Sequence, residues 1–456
     1  MKEFTQDDIE RISSIIAADN SEAAHAELAD LHPADIAELF QQLDTEQSEY
    51  LFRLLDEDTA ADVLMELDED ERLKLIEDMP AEEIAKQIDH LDTDDAVDLI
   101  QQLDEEERDE IISHIDDVEQ AGDIIDLLKY DEDTAGGLMG TEMIVVNENW
   151  SMPECIKQMR LQAEDRDEIY YVYVVDNDYR LRGTLPLKMM LTHPSVSKIK
   201  HVMEADPVSV KADTPIDEVA LDFEKYDLVA MPVVDSIGRL LGRITVDDVM
   251  DQVRESSERD YQLASGLSSD VDADDSVIAQ TKARIPWLLV GIASGILASV
   301  ILGAFEAQLQ AVTALALFIP IIGGTGGNVG VQASAIVVQG LANGSLEVKE
   351  FARQLGKETL IGLLNATIIT AVVLAYNLIV MPGELAVTIS VAVSLFVVVM
   401  FASILGTVIP LTLEKIHINP ALATGPFIQI MNDLFGIIIY VQVATFFLDK
   451  LGSGGL

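Results

Sequence analysis

The stretch FIQIMNDLFGIIIYVQVATFFL, Phe427 to Leu448, is apolar and long enough to cross a membrane, yet it carries one acid, Asp433. A charge at the bilayer centre costs roughly 2.5–3.5 kcal/mol even on lenient insertion scales. Either this carboxylate pairs structurally within a helix bundle or it binds a cation. Asn432 stands beside it. Pro426 removes a backbone donor, which leaves a carbonyl near Leu422 without its helical partner. Carboxylate, amide and free carbonyl are all oxygen ligands, and hard cations take oxygen. Mg2+ dehydrates reluctantly, so a few carboxylates that hold its waters suit it better than a full protein cage. A glycine-rich run, PIIGGTGGNVGVQ from Pro320 to Gln332, sets the amides of Asn328 and Gln332 one helical turn apart. Such a segment is tolerated at membrane depth when it is buried in protein or lines a wet cavity. Close helix packing through small residues is the alternative.

These residues belong to a chain written for two solvents. It has 456 residues, with 29 Lys or Arg against 81 Asp or Glu, a net charge of −52. Residues 285–456 hold 5 basic and 8 acidic side chains, so the first 284 hold 24 and 73. The front part is expected in water. Its acidity repels nucleic acid and anionic headgroups and attracts cations, or simply confers solubility. The single cysteine, Cys155, excludes a disulfide framework and a thiolate metal site, and the seven His are scattered. No nucleophile–base pair, P-loop or catalytic His set is present, so an enzyme is not expected. The opening MKEFTQDDIERISS lacks the apolar core of a cleavable signal, which leaves the front part in the cytoplasm.

The elements that must position the polar residues follow from the charge-free intervals. These lie between Arg284 and Glu306, between Glu306 and Glu347, between Glu358 and Glu384, and between Glu384 and Glu414. Each is long enough for a membrane helix. The second is the longest and could cross once or twice. A single crossing returns the basic loop Lys349, Arg353 and Lys357 to the cytoplasm, as the positive-inside tendency requires. The expectation is five spans, near 285–305, 311–339, 358–381, 385–413 and 420–448, with the N-terminus cytoplasmic and the C-terminus outside. No Lys or Arg falls inside the last of these to pair with Asp433. Five spans make a small bundle for a pore, so a homodimer in the lipid is expected.

The front part holds two repeats. Leu31, Leu43, Leu55, Leu67, Met79, Leu91, Leu103 and Ile115 fall at every twelfth position, and Asp44, Asp56, Asp68, Asp92, Asp104 and Asp116 follow most of them. An apolar anchor followed by a capping Asp predicts a short helix restarting in each repeat and stacking on its neighbours. After Tyr130 the pattern turns to β-branched and aromatic runs, IYYVYVVD (Ile169–Asp176) and VAMPVVD (Val229–Asp235). The step from Asp176 to Asp235 equals the step from Gly183 to Gly242, the mark of a tandem α/β duplication. An acid-rich helical stretch from Thr245, a Ser/Asp-rich loop over Ser268–Ser276 and then KARIPW lead to the membrane.

In this order the chain resembles the MgtE-type magnesium transporters. The motifs are AGGLM (Ala135–Met139), IYYVYVVD, GRITVDDV, GGTGGN and the NPA…P…ND segment from Asn419 to Asp433. The resemblance implies a multi-domain protein: a superhelical α-helical N domain over 1–129, a tandem CBS pair with α/β folds over 130–200 and 201–257, a connecting plug helix and linker over 246–284, and a five-helix transmembrane bundle over 285–456. It implies a homodimeric Mg2+ channel in a bacterial inner membrane that serves Mg2+ uptake, with Asp433 as the pore carboxylate of each subunit. It also implies that cytosolic Mg2+ regulates the pore by bridging acids, here Asp94 and Asp98, Asp217 and Asp227, and Asp248 and Asp251. Asn432 and Asn328 complete the expected metal set. Thr245 and Asp248 fit a nucleotide-ribose pattern, whereas the first repeat has Pro186 and Met189, so ATP or another adenine nucleotide is expected at one site only. Three positions depart from the family's acids: Asn419, Ser256 and Arg259. The competing readings are a broader Co2+ or Ni2+ transporter, which the absence of His and Cys from the pore segments disfavours, and a membrane-anchored cation or nucleotide sensor that transports nothing.

Overall fold

The computed structural model describes every residue except 1–3, 30, 78, 164–168, 195, 270, 272, 274, 347, 381–384 and 453–456. Parts of the expected Ser268–Ser276 loop, and the span limits Glu347, Met381 and Glu384, therefore lie outside the described residues. The chain forms two compact units, Met1–Gln252 and Val253–Leu456.

Unit one begins with ten short helices: α1 (Gln6–Ala17), α2 (Ser21–Leu28), α3 (Pro33–Phe40), α4 (Thr45–Phe52), α5 (Glu57–Glu66), α6 (Glu69–Ile76), α7 (Ala81–Ile88), α8 (Thr93–Gln101), α9 (Glu105–Ile112) and α10 (Val118–Leu127). From α3 to α9 the helix starts recur at every twelfth position, in step with the apolar anchors. Leu67, Leu91 and Ile115 are buried, and Leu31, Leu43, Leu55, Met79 and Leu103 pack against the same core. The caps are more varied than the repeat. Asp44, Asp56 and Asp104 accept backbone N–H bonds from the first turns of α4, α5 and α9. Asp68 and Asp92 hold the same position but make no such bond; Asp68 meets Gln41 at 3.1 Å and Asp92 meets Arg243 at 3.4 Å. The last helix is capped by Asp117, not Asp116.

The duplication follows as two small sheets. In the first, β1 (Ile144–Asn147) runs parallel to β2 (Val172–Val175), which pairs antiparallel with β3 (Leu181–Leu185) and then β4 (Glu204–Ala205). In the second, β5 (Val210–Lys211) is parallel to β6 (Ala230–Val234), itself antiparallel to β7 (Leu240–Thr245). Helices α11 (Met152–Gln162), α12 (Leu187–Thr192) and α13 (Ile216–Tyr226) complete the pair. The repeat-related aspartates do the same work: Asp176 Oδ1 accepts from the backbone of Asp178 and Arg180, and Asp235 Oδ1 from Ile237 and Arg239. Helix α14 (Val246–Ser265) follows β7 directly.

In unit two, α15 (Val277–Ala304), α17 (Ile319–Ala342), α18 (Phe351–Val380), α19 (Leu385–Lys415) and α20 (Gly425–Gly452) are each long and apolar enough to cross a membrane, α17 together with the 3-10 turn before it. The short α16 (Glu306–Ala311) and that turn precede α17, so one membrane-length helix fills the interval after Glu306. Helix α18 starts at Phe351, which puts Lys357 and Glu358 inside it. Helix α19 packs against α17, α18 and α20 and supplies the largest share of the apolar core. The architecture is thus the multi-domain one expected: stacked helices, an α/β pair, a connecting helix and five membrane-length helices.

Replacing the cap of α9, Asp104→Ala, frees two backbone N–H groups at Glu106 and Glu107. It should cost about 1 kcal/mol, read as faster amide exchange in the first turn of α9 and not in α4 or α5.

Candidate metal centres

The first cluster lies where α8 docks on the α/β pair. Thr93 at the start of α8 donates its N–H to Glu142 Oε1 at 3.1 Å, and its hydroxyl accepts from Thr141 N–H at 2.9 Å. These bonds hold the first turn of α8 on the lead-in to β1. Gly140, just before, exchanges backbone bonds with Arg243 of β7 at 2.9 Å. A side chain at Gly140 would come within 2.9 Å of Asp94 Oδ2 and of Glu142 Oε2, so only glycine lets these carboxylates approach the strand. Oxygens of Asp92, Asp94 and Glu142 lie within 4.8 Å of one another.

The electrostatics are those of acids short of counter-charge. Burial, then the nearby carboxylate of Asp248, pushes Asp94 well above the usual range. The same two causes push Asp95 up to about 7. Burial also raises Asp248, although the hydroxyl and N–H of Thr245 both donate to its Oδ2 and work the other way. Relief comes from Arg72, faced by Asp98 and Asp95, and from Arg243, which reaches Asp92. Of the acids singled out from the sequence, the structure brings Asp94 and Asp248 together and sets Asp98 near Asp95. Asp217 and Asp227 sit at opposite ends of α13, roughly 15 Å apart by helical rise. Asp227 caps that helix in the left-handed region, φ 50°. Asp251 lies one turn after Asp248 on α14. Asp92, Asp95 and Glu142 escaped sequence reasoning. The run DTDD offers a row of equivalent-looking polar positions, and Glu142 is far from Asp94 in the chain.

Beside this cluster Glu142, Tyr170, Tyr171, Tyr173 and Arg243 line a small, partly open cleft. The Arg243 guanidinium lies 5.4 Å from the centre of the Tyr170 ring. The buried Tyr173 hydroxyl and Arg243 Nε have no hydrogen-bond partner among the described residues. A flat aromatic face, a cation and two unfilled polar atoms here offer a small planar group both stacking and hydrogen bonds.

The second cluster is inside the membrane unit. Glycines 323, 327 and 330 form a bare stripe on α17 against α20. A Cβ at Gly323 or Gly327 would stand 3.4 or 3.6 Å from Asp433 Oδ1, and one at Gly330 would overlap the Asn432 amide. Asn432 is 1% exposed, and neither of its amide atoms finds a hydrogen-bond partner among the described residues. A fully buried amide left unfilled costs a few kcal/mol, which makes it a candidate ligand or water anchor. Asp433 is half-buried beside it. Asn328 and Gln332 share an exposed stripe of α17, turned away from this pair. Helix α20 starts at Gly425 with Pro426 in its first turn, so Pro426 opens a helix and does not interrupt one. The carbonyl of Ala423 just before it accepts from Ser334 at 2.8 Å. At this end of the bundle, Asn419 donates to Asp260 of α14 at 2.8 Å. Gly425, at φ 46°, touches the Ala264 carbonyl, and Gly266 touches Pro426.

An acid-rich N-terminal unit and a polar cluster among membrane-length helices together fit a membrane transporter for cations. Comparison with known proteins agrees: residues 319–443 match the family described as divalent cation transporter, 31–133 the MgtE intracellular N domain, and 135–194 and 199–255 the CBS domain. The magnesium transporter MgtE of Thermus thermophilus is 36% identical over 332 residues, 71% of this chain and 72% of that one. That of Bacillus subtilis is 30% identical over 325 residues, again 72% of its length. The crystal structure of the cytosolic domain of the Mg2+ channel MgtE in complex with ATP superposes with a TM-score of 0.51 at 31% identity, covering 54% of this chain and 99% of that one. The chain belongs to the MgtE family.

The raised acids have a definite pH sign. A carboxyl whose folded value lies above its unfolded one stabilises the fold at low pH and loses that contribution as pH rises through the folded value. For Asp95 that window runs from 3.8 to about 7. Without divalent ions, the melting temperature of the N-terminal unit in the intact protein should therefore fall as pH rises from about 5 to about 8. Mg2+ at about 100 times its Kd should restore about 2.7 kcal/mol at the higher pH, and less at the lower. Calorimetry with chelator against Mg2+ reads both effects.

Proposed function

We propose that this chain is a Mg2+-selective channel for Mg2+ uptake, gated by cytosolic Mg2+. The observation that carries the reading is the pairing of Asp433 and the unfilled Asn432 amide with the glycine stripe of α17. The stripe leaves space and polar atoms beside a carboxylate that has no basic partner among the described residues. The curated relatives are named as magnesium transporters, which assigns the ion. A hydrated Mg2+ held through its own waters needs few protein oxygens and a fixed gap.

A homodimer in the lipid bilayer completes the site. Gly324, Asn328 and Gln332 are exposed on one protomer, and amides facing hydrocarbon are costly. A second copy would cover them and bring a second Asp433 to the axis, with Asn328 lining the path. The N-terminus and both front domains face the cytoplasm and the C-terminus the outside, which keeps Lys349, Arg353 and Lys357 on the inner face. The domain and span limits inferred from the sequence stand as part of this proposal.

Cytosolic Mg2+ acts at Asp94, Asp98 and Asp248, joined by Asp92 and Glu142, with further ions at Asp217, Asp227 and Asp251. Ions that bridge these acids favour the docked form of α8 and shift the equilibrium by their differential affinity. Helix α14 carries Asp248 near its start and Asp260, the partner of Asn419, near its end. Adenine nucleotide takes the pocket beside Arg243 and Tyr170, with Thr245 and Asp248 as the ribose-side groups. The ATP complex of the related cytosolic domain supports that choice.

Asp433→Ala should reduce Mg2+ uptake to background in a transport-deficient cell while the protein still inserts; uptake at the normal rate removes the pore assignment. Deleting residues 1–129 should leave a channel that stays open at high internal Mg2+ in patch recordings. Inhibition unchanged from the full chain would refute the sensor.

A further inference from the structure

A second carboxylate lies inside the membrane unit and has no place in the function proposed above. Glu358 of α18 is 4% exposed. Its one side-chain partner among the described residues is the hydroxyl of Ser403 on α19, which donates to Oε1 at 2.5 Å. Acids buried in membrane helices are rare and mark function more often than packing. Gly362, one turn along α18, lets the two helices close on this bond: a Cβ there would lie 2.9 Å from Ser403 Oγ.

The contact does not end at Ser403. Gly406, one turn further along α19, sits against the Gly330 carbonyl of α17. Gly330 in turn abuts the Asn432 amide of α20, the residue before Asp433. Three glycine-mediated approaches therefore connect α18 to the ion site through α19 and α17. Such contacts have little slack: Gly406 lies backbone on backbone against Gly330, and Gly362 and Gly330 leave no room for a Cβ beside the Ser403 hydroxyl and the Asn432 amide. We infer that Glu358 is a positioning residue of the permeation path: its bond to Ser403 fixes the height of α19, and with it the Gly330 surface that places Asn432 and Asp433. A site for a hydrated ion must be held to about 0.5 Å to tell ions of different size apart, so the property at stake is selectivity.

The inference rests on the channel reading, and the experiment separates the two. Full-length protein in liposomes is assayed for Mg2+ flux with and without competing Ca2+, as wild type, Glu358→Ala, Glu358→Gln, Ser403→Ala and Asp433→Ala. Losing an outer partner of a metal site typically costs about 10–100-fold in affinity. Glu358→Ala should therefore raise the half-saturating Mg2+ and lower the preference for Mg2+ over Ca2+, each about ten-fold. Glu358→Gln keeps an acceptor for Ser403 and should retain most of that preference, which a loss of bulk stability alone would not produce. Wild-type half-saturation and preference in Glu358→Ala overturn the inference. Where that variant fails to insert, Ser403→Ala decides: reduced preference supports the inference and wild-type preference overturns it. Flux through Asp433→Ala would sink the channel reading and this inference with it, whereas a dead Asp433→Ala beside a wild-type-like Glu358→Ala sinks only the inference.

Discussion

Carboxylates crowded together with too few basic side chains must find a cation or a proton, and this demand organises the N-terminal unit. Two like charges about 4 Å apart repel by about 4 kcal/mol at an effective dielectric of about 20. Asp92, Asp94, Asp95, Asp248 and Glu142 meet with only Arg72 and Arg243 to offset them among the described residues. The docking is held against that repulsion by hydrogen bonds at Thr93, whose N–H donates to the Glu142 carboxylate and whose hydroxyl accepts from the Thr141 N–H. A cation added there removes a cost already present, so under the proposed gating weak intrinsic ligands suffice to favour the docked form.

The membrane unit meets the same demand by another route. It offers no basic side chain to Asp433 among the described residues; it offers space. The glycine stripe lets α17 and α20 lie close while leaving the carboxylate uncovered. In the N-terminal unit Gly140 does the equivalent work, admitting Asp94 and Glu142 to the edge of β7. Gly242 allows that approach from the other side, since a Cβ there would lie 2.6 Å from the Gly140 carbonyl. In both units, glycines fix where the acids can stand.

Much of the scaffold was legible because its signals are local. The twelvefold anchor period, the constant offset of the duplicated strands and the charge-free intervals each report a neighbour within a few turns or a repeat of the same unit. Side-chain partners were less so. Asp92 and Asp68 look like caps in sequence, but tertiary partners hold their carboxylates instead. Asp116 lost its expected place because the period slips by one position there: α9 starts at Glu105 and α10 at Val118. Glu358 read as the edge of a span because a charge normally ends one. It lies inside because Ser403, on the next helix, supplies a partner. The Asn432–Gly330 contact joins residues far apart in the chain, and no periodicity in either helix encodes it.

Asp248 shows how the two ligands of the proposed sensor constrain each other. Thr245 directs both its N–H and its hydroxyl to Oδ2 of that residue. A ribose hydroxyl would have to use the other oxygen or displace Thr245, and a cation bridging to Asp94 needs the same carboxylate ionised. On the proposed sensor reading nucleotide and Mg2+ share a group, and linkage makes any effect of one on the affinity of the other equal in both directions. If the nucleotide leaves Asp248 ionised and oriented, it raises the affinity for Mg2+; if it draws that carboxylate away from Asp94, it lowers it. On that reading the coupling acts through one side chain at the start of α14.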